Sequence, residues 1–489
     1  MKRSTRAFSL ALASLLLLSA CGGNAPAVSD TTTTADTTAE VTTDEPKGRE
    51  DISDGLPDKT YNDQTFRIAT ETNMSWQIIQ EEETGDVIDD AIFARNLAVE
   101  DRFKVKFETI HDGYNEIGSK VMNSIQAGDD EYDLCSLHVV RTGKYITDGL
   151  FMNWYDIPCV DFSKPWWSPS TTNDLSVGDT CFLAVGDFAL SALERTYAVF
   201  YNKRLAEEYK IGDIYDIVNS GKWTHDKALS ISRDIYSDLD GDGTRSDKDL
   251  YGWVCLDRSP LDSYLWAYGG KVLEKTKDGI ELVYHTARTG DMIEKLCSFF
   301  FDNEGIYLYN TQTVLNWQLA NDHFIDGRAL FMNGTINTAV QNLREMKDDF
   351  GIIPYPKFDE DQENYITNVD GGHDVLCVPV TVSDTERTGI ITEALCAESY
   401  KKVVPAYYEV ALKTKYTRDD ESIAMIDNIV NSRVFDLGYV YDGWMGASFI
   451  FSRLIAVDNP NFESYWASNE SSISEYYKKI IDYFDNYNK

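Results

Sequence analysis

Apolar and polar positions alternate along Thr65-Phe66-Arg67-Ile68-Ala69-Thr70, which predicts a half-buried strand. From Asp89 to Asp101 the period changes: Ala91, Ile92, Leu97 and Ala98 recur at helical spacing, and Phe103-Lys104-Val105-Lys106-Phe107 then alternates again. Strand, helix, strand at this spacing is a βαβ unit, so a parallel sheet follows. A helix over 114–127 and a strand near 132–137 continue the pattern. The predominantly apolar run Tyr197-Ala198-Val199-Phe200-Tyr201 leads through Asn202 and Lys203 into a helix from Leu205. From Asp384 the chain reads as mainly helical, with segments at 386–402, 421–431 and 472–485.

The amino-terminal pattern is different in kind. Lys2, Arg3 and Arg6 precede an apolar run from Phe8 to Leu18, too short to span a bilayer and ending in Leu18-Ser19-Ala20-Cys21. The basic front and small-residue end are those of a secretory signal over 1–20, and the tetrapeptide resembles the lipobox of bacterial lipoproteins. That resemblance implies cleavage before Cys21 and lipid on its sulfur. Residues 21–57 are rich in Thr, Ala, Asp, Glu and Gly, with too little apolar surface to offset chain entropy. They read as a disordered tether reaching about 30 to 35 Å.

One stretch carries a specific metal pattern. Asp238-Leu239-Asp240-Gly241-Asp242-Gly243-Thr244-Arg245-Ser246-Asp247-Lys248-Asp249 fits a twelve-residue calcium loop. Asp238, Asp240, Asp242 and Asp249 supply carboxylates at positions 1, 3, 5 and 12, Thr244 a carbonyl at 7, and Gly243 the sharp turn at 6. Asp249 stands where the longer Glu is usual. Calcium here is expected to be structural, since a fully coordinated ion leaves little room for catalysis.

Charge and cysteines narrow the function classes. The formal net charge of −36 becomes −39 without the first twenty residues, which argues against a nucleic-acid partner. The seven cysteines beyond Cys21 are widely spaced, with no C-x-x-C pair, so most read as small buried hydrophobes; one bridge stays open.

Ligands of open α/β sheets sit at the carboxyl ends of strands, which makes Trp76, after the first strand, a candidate contact or a core aromatic. In the Pro-punctuated loop around Trp154, Pro165 and Pro169, one of Trp166 and Trp167 is expected at a cleft rim.

Ala198-Val199-Phe200-Tyr201-Asn202-Lys203, Gly221-Lys222-Trp223-Thr224, the Asp-rich loop ending in Tyr251-Gly252, Gly327-Arg328-Ala329-Leu330-Phe331 and Asp349-Phe350-Gly351-Ile352-Ile353-Pro354-Tyr355-Pro356-Lys357 carry a joint signal. Over residues 60–440 the chain resembles the bacterial extracellular solute-binding proteins of ABC importers, family 1, in the sugar-binding branch from Firmicutes. The resemblance implies an α/β, two-lobed periplasmic-binding-protein-like fold (type II), with the ligand closed between lobes. It places lobe 1 at 58–190 with a return at 374–410, lobe 2 at 191–373, and a helical tail at 411–489 mainly on lobe 2. The crossings fall near 185–196 and 372–377. Arg195, beside Glu194, then faces the cleft or anchors the hinge through an ion pair. By the same resemblance Asp262, Tyr264 and Trp266, before Gly269-Gly270, and Asn333 and Thr335 become candidate contacts. Each has an alternative as core packing or a turn. His373, in Asp370-Gly371-Gly372-His373-Asp374, is a candidate where glycines absorb hinge rotation. Trp444 closes over the cleft or packs between tail helices.

A pyranose stacks its C–H face on Trp or Tyr and needs planar polar partners for its hydroxyls; ten Trp among many Asp and Asn supply both. The expectation is a monomeric, non-enzymatic lipoprotein on the extracytoplasmic membrane face, passing a carbohydrate, foremost an oligosaccharide, to an ABC permease. Rivals are a secreted glycoside hydrolase, a calcium-dependent polysaccharide-binding surface protein, and a peptide or polyamine as the ligand. No G-x-S-x-G elbow, H-E-x-x-H or phosphate loop occurs.

Overall fold

The computed structural model describes residues 48–487 apart from 278, 313–314, 345, 409–419 and 443–445. The signal, Cys21, most of the tether and Trp444 therefore lie outside the described residues. Among the described residues no helix is long and apolar enough to cross a membrane.

Strand β1 (Gln64–Glu71) pairs in parallel with β2 (Val105–Asp112) and β3 (Leu134–His138). The helix between β1 and β2 runs from Val87 to Phe103, capped by the Asp86 carboxylate on the Ile88 amide. It extends through Phe103, which the alternation assigns to the next strand. Lys104 in the left-handed region (φ 51) ends it, and β2 starts one residue later.

After β3 the chain crosses on a short helix, Ser191–Glu194, into a second, six-stranded sheet. Here β4 (Tyr197–Asn202) lies antiparallel to its neighbours, while β5 (Leu250–Leu256), β6 (Ile306–Tyr309), β7 (Ala329–Thr335) and β8 (Phe350–Ile353) run the same way. The order is β8-β4-β7-β5, with β6 and the short strand Tyr236–Ser237 also on β5. Strand β9 (Asp374–Cys377) returns to the first sheet, antiparallel to β3.

The final helix, Phe462–Tyr487, is longer than the periodic stretch at 472–485. Trp466 stacks on His285 of the second lobe at 4.7 Å, and Phe484 and Tyr487 pack on Phe182 of the first at 5.7 and 5.0 Å. The tail thus packs against both lobes. The seven described cysteines are free, and all but Cys159 are buried.

Candidate functional site: the junction between the lobes

The register of the sheets fixes which residues meet at the junction. His138 at the end of β3 faces Asp374 at the start of β9, and Thr335 at the end of β7 faces Tyr197 at the start of β4. The two inter-lobe segments run side by side: Thr196 bridges Val369, and the Asp370 amide donates to the Arg195 carbonyl at 2.9 Å. Both sheets therefore present their strand ends to one junction, as open α/β sheets present ligand sites.

On the first-lobe side the junction gathers polar groups that are distant in sequence. Burial, reinforced by the neighbouring Asp374, pushes the Glu71 carboxyl up to about 8. Burial pushes Asp374 up to about 7, against hydrogen bonds from Gln77 Nε2 (2.8 Å) and Ser136 Oγ (3.1 Å). Glu194 is raised to about 7 by the same cause. Burial also lowers His138 to about 3 and His373 to about 4, so both imidazoles are neutral at pH 7. Arg141 lies over the Tyr114 ring at 3.8 Å, and that ring tilts against His138 at 5.6 Å. Arg195 Nη1 stands 3.8 Å from Asp370 Oδ1.

Several atoms here are buried without a hydrogen-bond partner: Thr70 Oγ1, His138 Nδ1, Arg141 Nε, Arg195 Nε, His373 Nε2 and Asp374 Oδ1. Buried polar atoms in folded proteins are ordinarily paired, so such a group at one junction marks a place completed by water or a solute. Its chemistry is mixed, with cationic donors beside near-neutral carboxyls.

The second lobe adds a hollow of about 340 Å³ beyond the ends of β5 and β6, walled by Arg258, Gln312, Leu315, Trp317, Phe449 and Arg453. The Asp257 carboxylate holds the loop after β6 by accepting from the Thr311 amide, Thr311 Oγ1 (2.5 Å) and Gln312 Nε2 (3.0 Å). Trp317 is 48 % exposed, the most open tryptophan among the described residues.

Against this geometry the candidate residues divide. Trp76 is half-buried and packs against the apolar cluster that joins Ile92 of the first lobe, Leu190 and Leu193 at the crossing, and second-lobe residues. Arg195 and His373 are at the junction. Thr335 is half-buried at its edge, its hydroxyl on Asn337 Oδ1 at 3.0 Å. Asn333 and Tyr264 lie one rank deeper: Asn333 Oδ1 accepts from Trp253 Nε1 at 2.7 Å, and Tyr264 packs on Tyr355 at 4.9 Å. Asp262 is buried, accepts from the Ser452 amide at 2.8 Å, and borders the hollow.

Trp166 and Trp167 correct the expectation of a residue at the rim of the inter-lobe cleft: both are buried in the first-lobe core, each Nε1 donating to Glu393 at 2.8 Å, and Trp167 borders a separate cavity away from the junction. Trp266 is likewise core, donating to Asp436 Oδ2 at 3.0 Å and packing on Tyr439. Glu71, His138, Arg141, Asp370, Arg258 and Trp317 were not singled out by the sequence. Trp317 had a signal, as an aromatic in a polar loop after a strand.

The Asp-rich loop precedes the amino end of β5, at the sheet edge away from the junction. Asp238, Asp240 and Asp242 bring one carboxylate oxygen each within 4.8 Å of one another. Gly243 (φ 75) and Gly241 (φ 74) supply the left-handed turns, and the Gly243 amide donates to Asp238 Oδ2 at 2.9 Å. Asp249 is buried and closes the loop by accepting from the Leu239 and Ser246 amides at 3.2 and 2.9 Å.

No protein-family model and no curated protein matches the sequence. Solved structures do match the fold. An ABC substrate-binding protein from Listeria monocytogenes, in complex with cycloalternan, superposes with a TM-score of 0.56 at 11% identity, covering 86% of this chain and 99% of its own. The galacto-N-biose/lacto-N-biose I-binding protein of an ABC transporter from Bifidobacterium longum, bound to lacto-N-biose, gives 0.55 at 11%, covering 88% and 98%. A cyclo/maltodextrin-binding protein with maltotetraose gives 0.54 at 13%, covering 89% and 98%. These neighbours are binding proteins. The fold of the described chain is the two-lobed α/β fold of such solute-binding proteins.

Proposed function

We propose that this chain is the extracytoplasmic solute-binding subunit of an ABC importer, and that it captures a carbohydrate, foremost an oligosaccharide, between its lobes. The observation that carries this reading is the row of unpartnered buried polar atoms at the junction, on Arg141, Arg195, His138, His373 and Asp374. Sugar hydroxyls both donate and accept, so they match guanidinium donors, neutral imidazoles and near-neutral carboxyls set side by side. Trp317 and Tyr114, 48 % and 41 % exposed, offer ring faces for the apolar side of a pyranose. The three solved neighbours, each a complex with a carbohydrate, support the same ligand class.

Lobe closure over the solute would signal to permease subunits, and a lipid on Cys21 would hold the monomeric protein at the outer membrane face. In the Asp-rich loop, Asp238, Asp240, Asp242 and the Thr244 carbonyl would hold a structural calcium ion, a hard cation suited to this all-oxygen set, with Asp249 closing the loop. Titration calorimetry of residues 48–489 against mono- and oligosaccharides tests the reading. One-site binding of a carbohydrate recovered unchanged is expected; no binding across the panel, or a cleaved sugar, contradicts it.

A further inference from the structure

The crossing helix Ser191–Glu194 has a second side. Ser191 faces the first lobe, its amide on Gln77 Oε1 at 2.8 Å and its hydroxyl accepting from the Asp374 amide at 3.0 Å. Ala189, Leu190, Ala192 and Leu193 instead line a separate cavity of about 350 Å³. None of the unpartnered junction residues borders this cavity. Its other walls come from the first-lobe loop carrying Trp167 and Asp187, from Tyr400, Val404 and Tyr408, and from the segment running from Asp427 to Arg433. Its volume falls in the range of small-ligand sites.

Three observations indicate that the cavity is built for a solute. The Asp187 carboxylate borders it and makes no hydrogen bond and no ion pair with any described residue; only its backbone amide is bonded, to the Trp166 carbonyl at 2.9 Å. Burial raises that carboxyl to about 7, against the pull of Arg433 and Arg49. These two arginines also border the cavity and are only partly used. Arg433 gives Nε to the Val430 carbonyl (2.9 Å) and Nη1 to the Ala192 carbonyl (3.3 Å), and Arg49 gives Nη1 to the Tyr400 carbonyl (3.2 Å) while lying over the Tyr400 ring at 4.6 Å. Finally, π-helical turns stand at the cavity, and a run at 405–408 contributes Tyr408. Ser399–Val403 contributes Tyr400, and Thr171–Leu175 begins two residues after the lining residue Pro169. Such turns cost regular hydrogen bonding and recur at functional sites.

We propose that this cavity is a second small-molecule site, distinct from the carbohydrate junction, which takes a small zwitterion of the size of a free α-amino acid. Its ammonium sits on Asp187, its carboxylate meets the open edges of the Arg433 and Arg49 guanidiniums, and Tyr400 and Trp167 flank its carbon skeleton. Asp427 also lines the cavity, so the wall holds two acidic and two basic residues; a mixed pair of charges suits it, whereas a lone cation would face two arginines and a lone anion would face two aspartates. The bound molecule touches the crossing helix, so a difference in its affinity between open and closed lobes would bias the hinge, and by linkage any effect on carbohydrate affinity is reciprocal. The second site does not rest on the carbohydrate reading; its coupling to the junction does.

The test is titration calorimetry of residues 48–489 with glycine, L-alanine, L-serine, L-proline and glycine betaine, read in parallel by intrinsic tryptophan fluorescence. The expected result is saturable binding of at least one compound, weakened about tenfold or more by Asp187→Asn, the loss of one charge-assisted contact. Val404→Phe, which fills the cavity from its wall, abolishes the same binding. Melting curves and carbohydrate titrations of both variants, unchanged in form, show that the fold and the junction survive. Absence of saturable binding for the whole panel at millimolar concentration overturns the proposal, as does binding that Asp187→Asn and Val404→Phe leave intact. Carbohydrate binding by the wild type is a separate readout, so failure of the junction and failure of this cavity are told apart.

Discussion

The hydroxyl of Tyr197 donates to Oδ2 of Asp370 at 2.6 Å, joining the first strand of the second lobe to the segment that carries the chain back to the first. Asp370 Oδ1 in turn accepts from the Gly372 amide at 2.9 Å, within the glycine pair of the return crossing. One carboxylate therefore couples both crossings. Tyr197→Phe should cost about 1.5–3 kcal/mol, the range for a hydrogen bond to a charged group, read as a lower denaturation midpoint at unchanged slope.

Glu393 holds Trp166 and Trp167 at once, and glutamine can accept with only one of its two terminal atoms. Glu393→Gln should leave one indole N–H unpaired and destabilise the first lobe by about 1–3 kcal/mol, measured by chemical denaturation.

Burial raises Glu71 to about 8 and Asp374, Glu194 and Glu393 to about 7, so the folded state binds protons that the unfolded state has released. Such stability is complete below the unfolded carboxylate pKa and is lost as pH rises through the folded values. His138, His225, His323 and His373 act in the opposite sense, being lowered to about 3 or 4, but their effect is complete once pH exceeds the ordinary imidazole value. Between pH 6.5 and 8 only the carboxyls remain in play. Melting temperature should fall with rising pH across that window, and less steeply in Glu393→Gln.

Calcium should stabilise the second lobe without changing carbohydrate affinity, since the Asp-rich loop lies at the far edge of its sheet. At about a hundred times its dissociation constant the ion adds about 2.7 kcal/mol. A calcium-dependent rise in melting temperature, reversed by chelator and absent in Asp240→Ala, is the expected outcome.

In the second-lobe hollow, Trp317→Ala should weaken a bound carbohydrate by about tenfold while leaving stability nearly unchanged, because the ring is half exposed and its loss costs little core packing. Arg141→Ala should weaken binding further, and calorimetry of the two variants separates stacking from hydrogen bonding.

The sheets were legible because alternation and helical spacing report burial locally: Phe66 and Ile68 are both fully buried on β1. The end of the first helix was not, since the left-handed Lys104 leaves no trace in hydropathy. Trp166 and Trp167 were misplaced because their partner, Glu393, lies 227 residues on from Trp166, and a Pro-rich loop gives no sign of a carboxylate arriving from a distant helix. The junction was visible only in outline. Arg195 and His373 were marked by the crossings, but Glu71, His138 and Arg141 acquire meaning only when the register sets His138 opposite Asp374.

The most direct measurement is calorimetric titration of residues 48–489 with maltooligosaccharides and related sugars, followed by recovery of the bound sugar. The account predicts one-site binding, an intact sugar, and loss of the heat signal in Arg141→Ala. Absence of binding by any carbohydrate, binding that Arg141→Ala leaves untouched, or a shortened sugar would contradict it.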